Sequence, residues 1–246
     1  VRKYVAKLGP PREPVCPWQA LLARGILIIV MKMDNTIFSE RKKRAAKIVA
    51  ALKKLFPKPM IALKFSNHWE LLVAVELSAQ CTDKKVNEVT AALFKKYHTL
   101  DDYAHANRPE FEKDIHSTGF FRNKTKNILA AANMVKEKFG GKLPKTMPEM
   151  LTIPGVARKT ANVVLGNAYG VVEGIAVDTH VKRLARVLGL TDNTDPVKIE
   201  RDLMALILKK EWFDFTYRLI NYGRQYCPAR PHDHAKCPLT PLSFRI

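Results

Sequence analysis

Apolar residues recur at helical spacing along almost the whole chain after Asn35. Ser39 can cap a helix running through Arg44, Ile48, Leu52 and Leu55, with Pro57 and Pro59 ending it. Over residues 68–80, Leu71, Leu72, Val75 and Leu77 fall at helical spacing. Thr82-Asp83 then caps a helix with Val86, Val89, Leu93 and Phe94. The same spacing predicts helices over 124–138, 158–168, 179–188, 196–210 and 212–224. Between them lie turn signals such as Gly140-Gly141 and residues 193–196. Residues 171–177 alone have strand character, and one isolated strand has nothing to pair with. There is no internal repeat and no low-complexity tract. The expectation is an all-α protein with short connections.

Charge narrows the partners. The 246 residues carry 42 Lys+Arg against 23 Asp+Glu, a formal net charge of +19. A surplus this large argues against a charge-neutral metabolic enzyme and favours a polyanion: DNA, RNA or an acidic membrane surface. The longest apolar run, residues 25–31, is too short to span a bilayer, and no small-x-small cleavage site follows it, so neither a membrane span nor secretion is expected. Four cysteines in a chain of this length do not make a disulfide scaffold, which points to a reducing, cytoplasmic compartment.

The first residues differ from the rest. The sequence begins at Val1, and Pro10, Pro11, Pro14 and Pro17 interrupt any helix there. Residues 1–33 are read as a leader, an upstream read-through or an artefact, with Met31 and Met33 as candidate starts. Without residues 1–30 the net charge is still +15.

The chemistry concentrates in one segment. Thr146-Met-Pro-Glu149 reads as a capping box opening a short helix, with Pro148 where a missing N–H costs little. Ile153-Pro-Gly-Val-Ala157 makes a tight turn, and Arg158 starts a second helix. Such a helix–hairpin–helix can aim backbone N–H groups at a phosphate beside a helix N-terminus, and Gly155 lets the backbone come close. Backbone donors grip phosphate without reading bases. The same pattern also fits an ordinary turn between packed helices.

Leu151-Thr-Ile-Pro-Gly-Val-Ala-Arg-Lys-Thr-Ala-Asn-Val-Val-Leu165, followed by Ile175-Ala-Val-Asp-Thr-His180, resembles the endonuclease III branch of the helix–hairpin–helix DNA glycosylases. Leu77-Ser-Ala-Gln-Cys-Thr-Asp83 and Thr118-Gly-Phe-Phe-Arg-Asn-Lys124 match two further family segments in the expected order. The resemblance runs from about Ser39 to the C-terminus. It implies a six-helix barrel domain over 61–171, a second domain from 34–60 and 172–246, and duplex DNA in the cleft between them.

It also implies a bifunctional glycosylase and AP lyase, acting as a monomer on oxidised pyrimidines and abasic sites in duplex DNA. In a prokaryote that places it at the nucleoid. Lys159 takes the place of the nucleophile and Asp178 that of the catalytic carboxylate. Cleaving an N-glycosidic bond and then the strand needs an amine that attacks C1′ and forms a Schiff base. That amine must be neutral; Arg158 beside it, the helix N-terminus and partial desolvation by bound DNA would lower its pKa. A nearby carboxylate can stabilise the cationic sugar and move protons. Taken singly, Lys159 reads as an exposed helix lysine and Asp178 as an N-cap.

By the same resemblance Gln80 fills the gap left by an extruded base and Phe120 is the wedge, with Phe121 as its rival. Gly155, Ala157, Arg158 and His180 are further DNA-contacting positions. Two other readings compete. A monofunctional adenine glycosylase normally lacks the lysine and carries an extra C-terminal domain, whereas only 19 residues follow Cys227 here. A non-catalytic DNA-binding module would have no reason to keep both Lys159 and Asp178.

Two departures stand out. The family usually ends in C-x6-C-x2-C-x5-C around an iron–sulfur cluster; here the four places hold Cys227, His234, Cys237 and Ser243. A His and a Ser are poor ligands for [4Fe–4S], so that cluster is expected to be absent. Zinc on Cys227, Cys237 and either His232 or His234 is the alternative, although the spacing is irregular for it. The lysine chemistry itself needs no cofactor. The second departure is Ala157, where many members have glycine; a required positive φ there would strain the turn.

Overall fold

The computed structural model describes the backbone of residues 17–243 and the side chains of residues 35–243. Among the described residues the chain forms helices and no β-strand: α1 (Pro17–Leu55), α2 (His68–Leu77), α3 (Asp83–Lys96), α4 (Leu100–Ala104), α5 (Arg108–Asp114), α6 (Phe121–Phe139), α7 (Met147–Met150), α8 (Arg158–Tyr169), α9 (Thr179–Val187), α10 (Pro196–Leu206) and α11 (Trp212–Gln225), with short 3-10 turns between some of them. None of these helices is long and apolar enough to cross a membrane.

The first helix corrects the sequence reading. It does not begin at Ser39 but runs unbroken from Pro17. Proline at the first position of a helix gives up only an N–H that has no partner there, and no proline follows until Pro57. Of the expected leader, residues 1–16 lie outside the described residues. Contacts separate residues 1–43 from 44–246. In the first unit Ile37 and Phe38 are about half exposed. All that follows concerns the second.

There, local chemistry sets most boundaries. Side-chain oxygens of Asn67, Thr82, Thr99, Asn107, Thr146, Asp178 and Asp195 accept first-turn N–H groups of α2, α3, α4, α5, α7, α9 and α10. Such caps contribute roughly 1 kcal/mol each. Residues 171–177, which have strand character in the sequence, form neither helix nor strand. α10 stops at Leu206, short of the predicted 210, because Ile207 turns to an extended backbone.

Two hydrophobic cores form. One gathers residues from Leu63 to Ala176, with Leu71, Leu72 and Leu77 of α2 essentially inaccessible. Burying each leucine contributes about 1.5–3 kcal/mol. The other joins Ala45, Ile48 and Leu52 of α1 to residues between Ile175 and Leu239. The chain passes from the first core to the second at residues 175–177, just ahead of Asp178. Buried Arg218 braces the second core, bonding Asp214 at 2.8 Å, Glu211 at 3.3 Å and the Phe56 carbonyl at 3.2 Å.

Candidate active site

Helices α7 and α8 flank a hairpin of residues 151–157. Thr146 Oγ accepts the Glu149 N–H at 3.4 Å and donates to the Glu149 carboxylate at 2.6 Å. The predicted capping box is thus only half formed, because the carboxylate takes the hydroxyl instead. Ile153 and Val156 are buried and anchor the hairpin, while Gly155 and Ala157 are exposed. Gly155 has φ +83°, and a Cβ there would lie 2.6 Å from Glu76 Oε2 and 2.9 Å from Asn127 Cβ. Glycine is required on both counts. Ala157 has φ −87° and ψ 169°, an extended conformation open to any residue, so alanine causes no strain. Ala157 offers no side-chain cap to the first-turn N–H groups of α8, which begins directly after the exposed hairpin.

Behind the hairpin lies a cavity of about 730 Å³ whose lining includes Gln80, Gly155, Ala157, Lys159, Asp178 and His180. Six of the eight candidate residues therefore meet there. Burial holds the Lys159 amine below the usual lysine range, against the charges of Asp178, Asp83 and Glu76, which favour the ammonium. Arg158, expected to contribute, is engaged elsewhere: its Nε is 2.6 Å from buried Glu200, which also accepts from Asn162 at 2.9 Å. Its charge is thereby neutralised, and it does not line the cavity. Asp178 Oδ1 accepts the Val181 N–H at 2.8 Å, so it caps α9 while lining the cavity. His180 packs against Gly223; burial lowers its pKa first, with Arg224 and Arg183 adding to the effect.

Gln80 and Phe120 share an unusual backbone. They are the two non-glycine residues with positive φ among those described, at 53° and 47°. Such conformations cost on the order of 1 kcal/mol and cluster at functional sites. Phe120 is 61% exposed, whereas Phe121 packs on the first core and on the His116 ring at 4.5 Å. This separates the two candidates for the wedge. Phe120 lies outside the cavity lining, in a shallow depression with Phe121, Arg122 and Asn123. Buried Lys124 donates to the Leu77 and Thr118 carbonyls, each at 2.8 Å. One ammonium thus ties the turn that carries Gln80 to the turn that carries Phe120.

Residues 73–209 match the HhH-GPD superfamily of base excision DNA repair proteins. The endonuclease III of Synechocystis sp. is 51% identical over 204 residues, covering 83% of this chain and 93% of that protein. The chain belongs to the endonuclease III family. Endonuclease III of Bacillus subtilis is 46% identical over 189 residues, covering 76% of this chain and 86% of its own. Among solved structures, a non-covalent endonuclease III–DNA complex matches with a TM-score of 0.78 at 42% identity, over 82% of this chain and 94% of that one. A trapped endonuclease III–DNA covalent intermediate matches equally well, over 82% and 95%. The resemblance carried by the motifs is therefore the family itself, and the matched segment carries the hairpin, Lys159 and Asp178.

Three further charged groups line the cavity, none of them assigned to the active site from the sequence. Asp83 and Arg224 form an ion pair at 2.6 Å that joins the start of α3 to the end of α11. The third is Glu76, buried and raised from the ordinary 4.5 to about 7 by desolvation, against the opposing charges of Lys159 and Lys124. A glutamate inside the apolar run Leu71–Leu77 was the available signal. Its raised pKa means the fold prefers the neutral acid. Its contribution is most favourable below the unfolded pKa, falls as pH rises from about 4.5 towards 7, and levels above that. Glu76→Gln keeps the shape without the charge. It is expected to raise the melting temperature at pH 8 and leave it nearly unchanged at pH 4.5, the gain reaching up to about 3 kcal/mol. Equal shifts at the two pH values would refute this.

The C-terminal loop brings together Cys227, His232, His234 and Cys237, a set able to hold a metal ion. Ser243, in the fourth family position, is half-buried at the end of the described residues.

Proposed function

We propose that Lys159 is the nucleophile and Asp178 the catalytic carboxylate of a base-excision DNA glycosylase and AP lyase that removes oxidised pyrimidines from duplex DNA. One observation carries this reading: a desolvated lysine and a helix-capping aspartate line one cavity directly behind an exposed, phosphate-shaped hairpin.

The N–H groups of the hairpin and the start of α8 hold a backbone phosphate. A damaged nucleotide leaves the stack, since a weakened pair costs less to open. Phe120 wedges into the step and Gln80 fills the vacated space, both presented on constrained left-handed turns. The neutral Lys159 amine attacks C1′, and the base leaves with the glycosidic bonding pair. An amine proton is lost and the C1′–O4′ bond opens, O4′ taking a proton, and the resulting iminium acidifies the C2′ proton. Removal of that proton expels the 3′ phosphate by β-elimination, and water then releases the lysine. The Asp178 carboxylate stabilises the cationic sugar and helps to move these protons. The steps require no cofactor. The two cores are read as the two domains expected from the sequence, with DNA between them, and the protein as a cytoplasmic monomer.

Borohydride reduction during turnover tests this. A covalent protein–DNA adduct is expected on duplexes with an abasic site or an oxidised pyrimidine. Intact duplex binding with no adduct on any substrate would leave a non-catalytic DNA-binding protein.

A further inference from the structure

The family's iron–sulfur cluster does not fit the residues present. A [4Fe–4S] centre takes four thiolates, each on a different iron at the corner of a cube. The loop offers two thiols and two imidazoles, and their ligand atoms all lie within 4.8 Å of one another. A two-iron centre with mixed ligands fails for a related reason. It would put the sulfur pair on one iron and the nitrogen pair on the other, yet Cys237 Sγ is 3.3 Å from His232 Nε2 and 3.9 Å from His234 Nδ1. Those separations match a single tetrahedral ion, whose bonds of about 2.0–2.3 Å set its ligand atoms roughly 3.3–3.8 Å apart.

The surroundings are also those of a metal site. Both cysteines are buried in the second core, and Leu239 anchors the loop beside them. Cys227 follows directly on the end of α11, its N–H bonded to the Tyr222 carbonyl at 3.0 Å. Cys237 is held near His234 by a 3-10 turn, with its N–H 3.0 Å from the His234 carbonyl. His232 Nδ1 lies 2.9 Å from the Arg230 carbonyl. Donating there fixes the tautomer and leaves the Nε2 lone pair on the side of the Cys237 sulfur, as metal-bound histidines do. Arg183 donates to the Cys227 carbonyl and comes within 3.6 Å of its sulfur.

We propose that Cys227, His232, His234 and Cys237 bind one zinc ion as a closed structural centre in the place of the family's cluster. Two thiolates neutralise the ion, so the centre adds no net charge to a buried position. Four protein ligands leave no open coordination position, so the ion is structural and takes no part in the lysine chemistry. It fixes residues 228–236 as a loop on the second core, with Arg230 and Lys236 exposed on it.

The full-length protein should purify colourless, with about one zinc per chain and neither iron nor acid-labile sulfide. Removing zinc with a chelator should lower the melting temperature, and zinc chloride should restore it. Cobalt(II) added to the depleted protein should give the visible bands and sulfur-to-metal charge transfer of a tetrahedral site with two thiolates. The double variant His232→Asn with His234→Asn should lose stoichiometric zinc in competition with a chromophoric chelator. Stoichiometric iron with sulfide, a Cys227–Cys237 disulfide without metal, or an octahedral cobalt spectrum would each overturn the proposal. The cobalt spectrum of the unsubstituted protein decides the matter even if the variant does not fold.

Discussion

Lys159→Ala should abolish strand cleavage at an abasic site, a fall of roughly 10⁴-fold or more, the scale that follows removal of a nucleophile. The borohydride adduct should vanish with it. Duplex binding should stay within a few-fold, because the phosphate contacts proposed for the hairpin use backbone N–H groups, which survive the substitution. The fold should also tolerate the change. Removing a partly desolvated amine costs little of its own, although Glu76 and Asp178 lose an opposite charge nearby. Anisotropy on an abasic duplex, run beside the cleavage assay, separates chemistry from binding. A variant that still traps covalently would place the Schiff base on another amine. Lys124, a buried lysine that also acts on Glu76, is poorly suited, since its ammonium is committed to two carbonyls.

The second large effect separates two jobs held by one residue. Asp178 caps α9 and also faces Lys159 in the cavity. Asparagine caps a helix about as well as aspartate, whereas alanine costs roughly 1 kcal/mol there. Asp178→Asn is therefore expected to keep the melting temperature close to that of the parent and to lower turnover by about 10²–10³-fold, within the range of a lost acid–base group. Asp178→Ala should lose both. The Asp178 charge also favours the Lys159 ammonium. Removing it lowers the lysine pKa further, so the acid limb of the residual pH–rate profile should move to lower pH. If Asp178→Asn retained full activity while Asp178→Ala did not, the aspartate would be a cap and nothing more.

Much of the fold and of the site is legible in the order of residues alone. The helices α3, α8, α9 and α11 fall within a residue or two of their predicted limits, since capping oxygens and apolar stripes act over three or four residues. The Lys159–Asp178 spacing and the hairpin carry the family. What escapes is of two kinds. The short helices α4 and α5 leave no periodic signal, because five and seven residues are too few to display an apolar period. The long helix α1 is cut short by pattern reading, because prolines that precede a helix look like prolines that break one. For the wedge, two adjacent phenylalanines cannot be told apart by pattern, and only the left-handed turn at Phe120 exposes that ring and leaves Phe121 partly buried against the first core.

The chain's own order of residues thus determined its helical segments, their caps and the hairpin, because each is written in neighbours a few positions apart, and it pointed to Lys159 and Asp178 as the proposed amine and carboxylate. The tertiary structure decided how those groups behave. It buried Glu76 beside the lysine and gave the Arg158 charge to a glutamate 42 residues away. It closed one side of the cavity with a pair 141 residues apart and set two histidines, not one, around the cysteine sulfurs. Desolvation and ion pairing depend on which distant segments come to share a space, and that is settled only when the two cores pack.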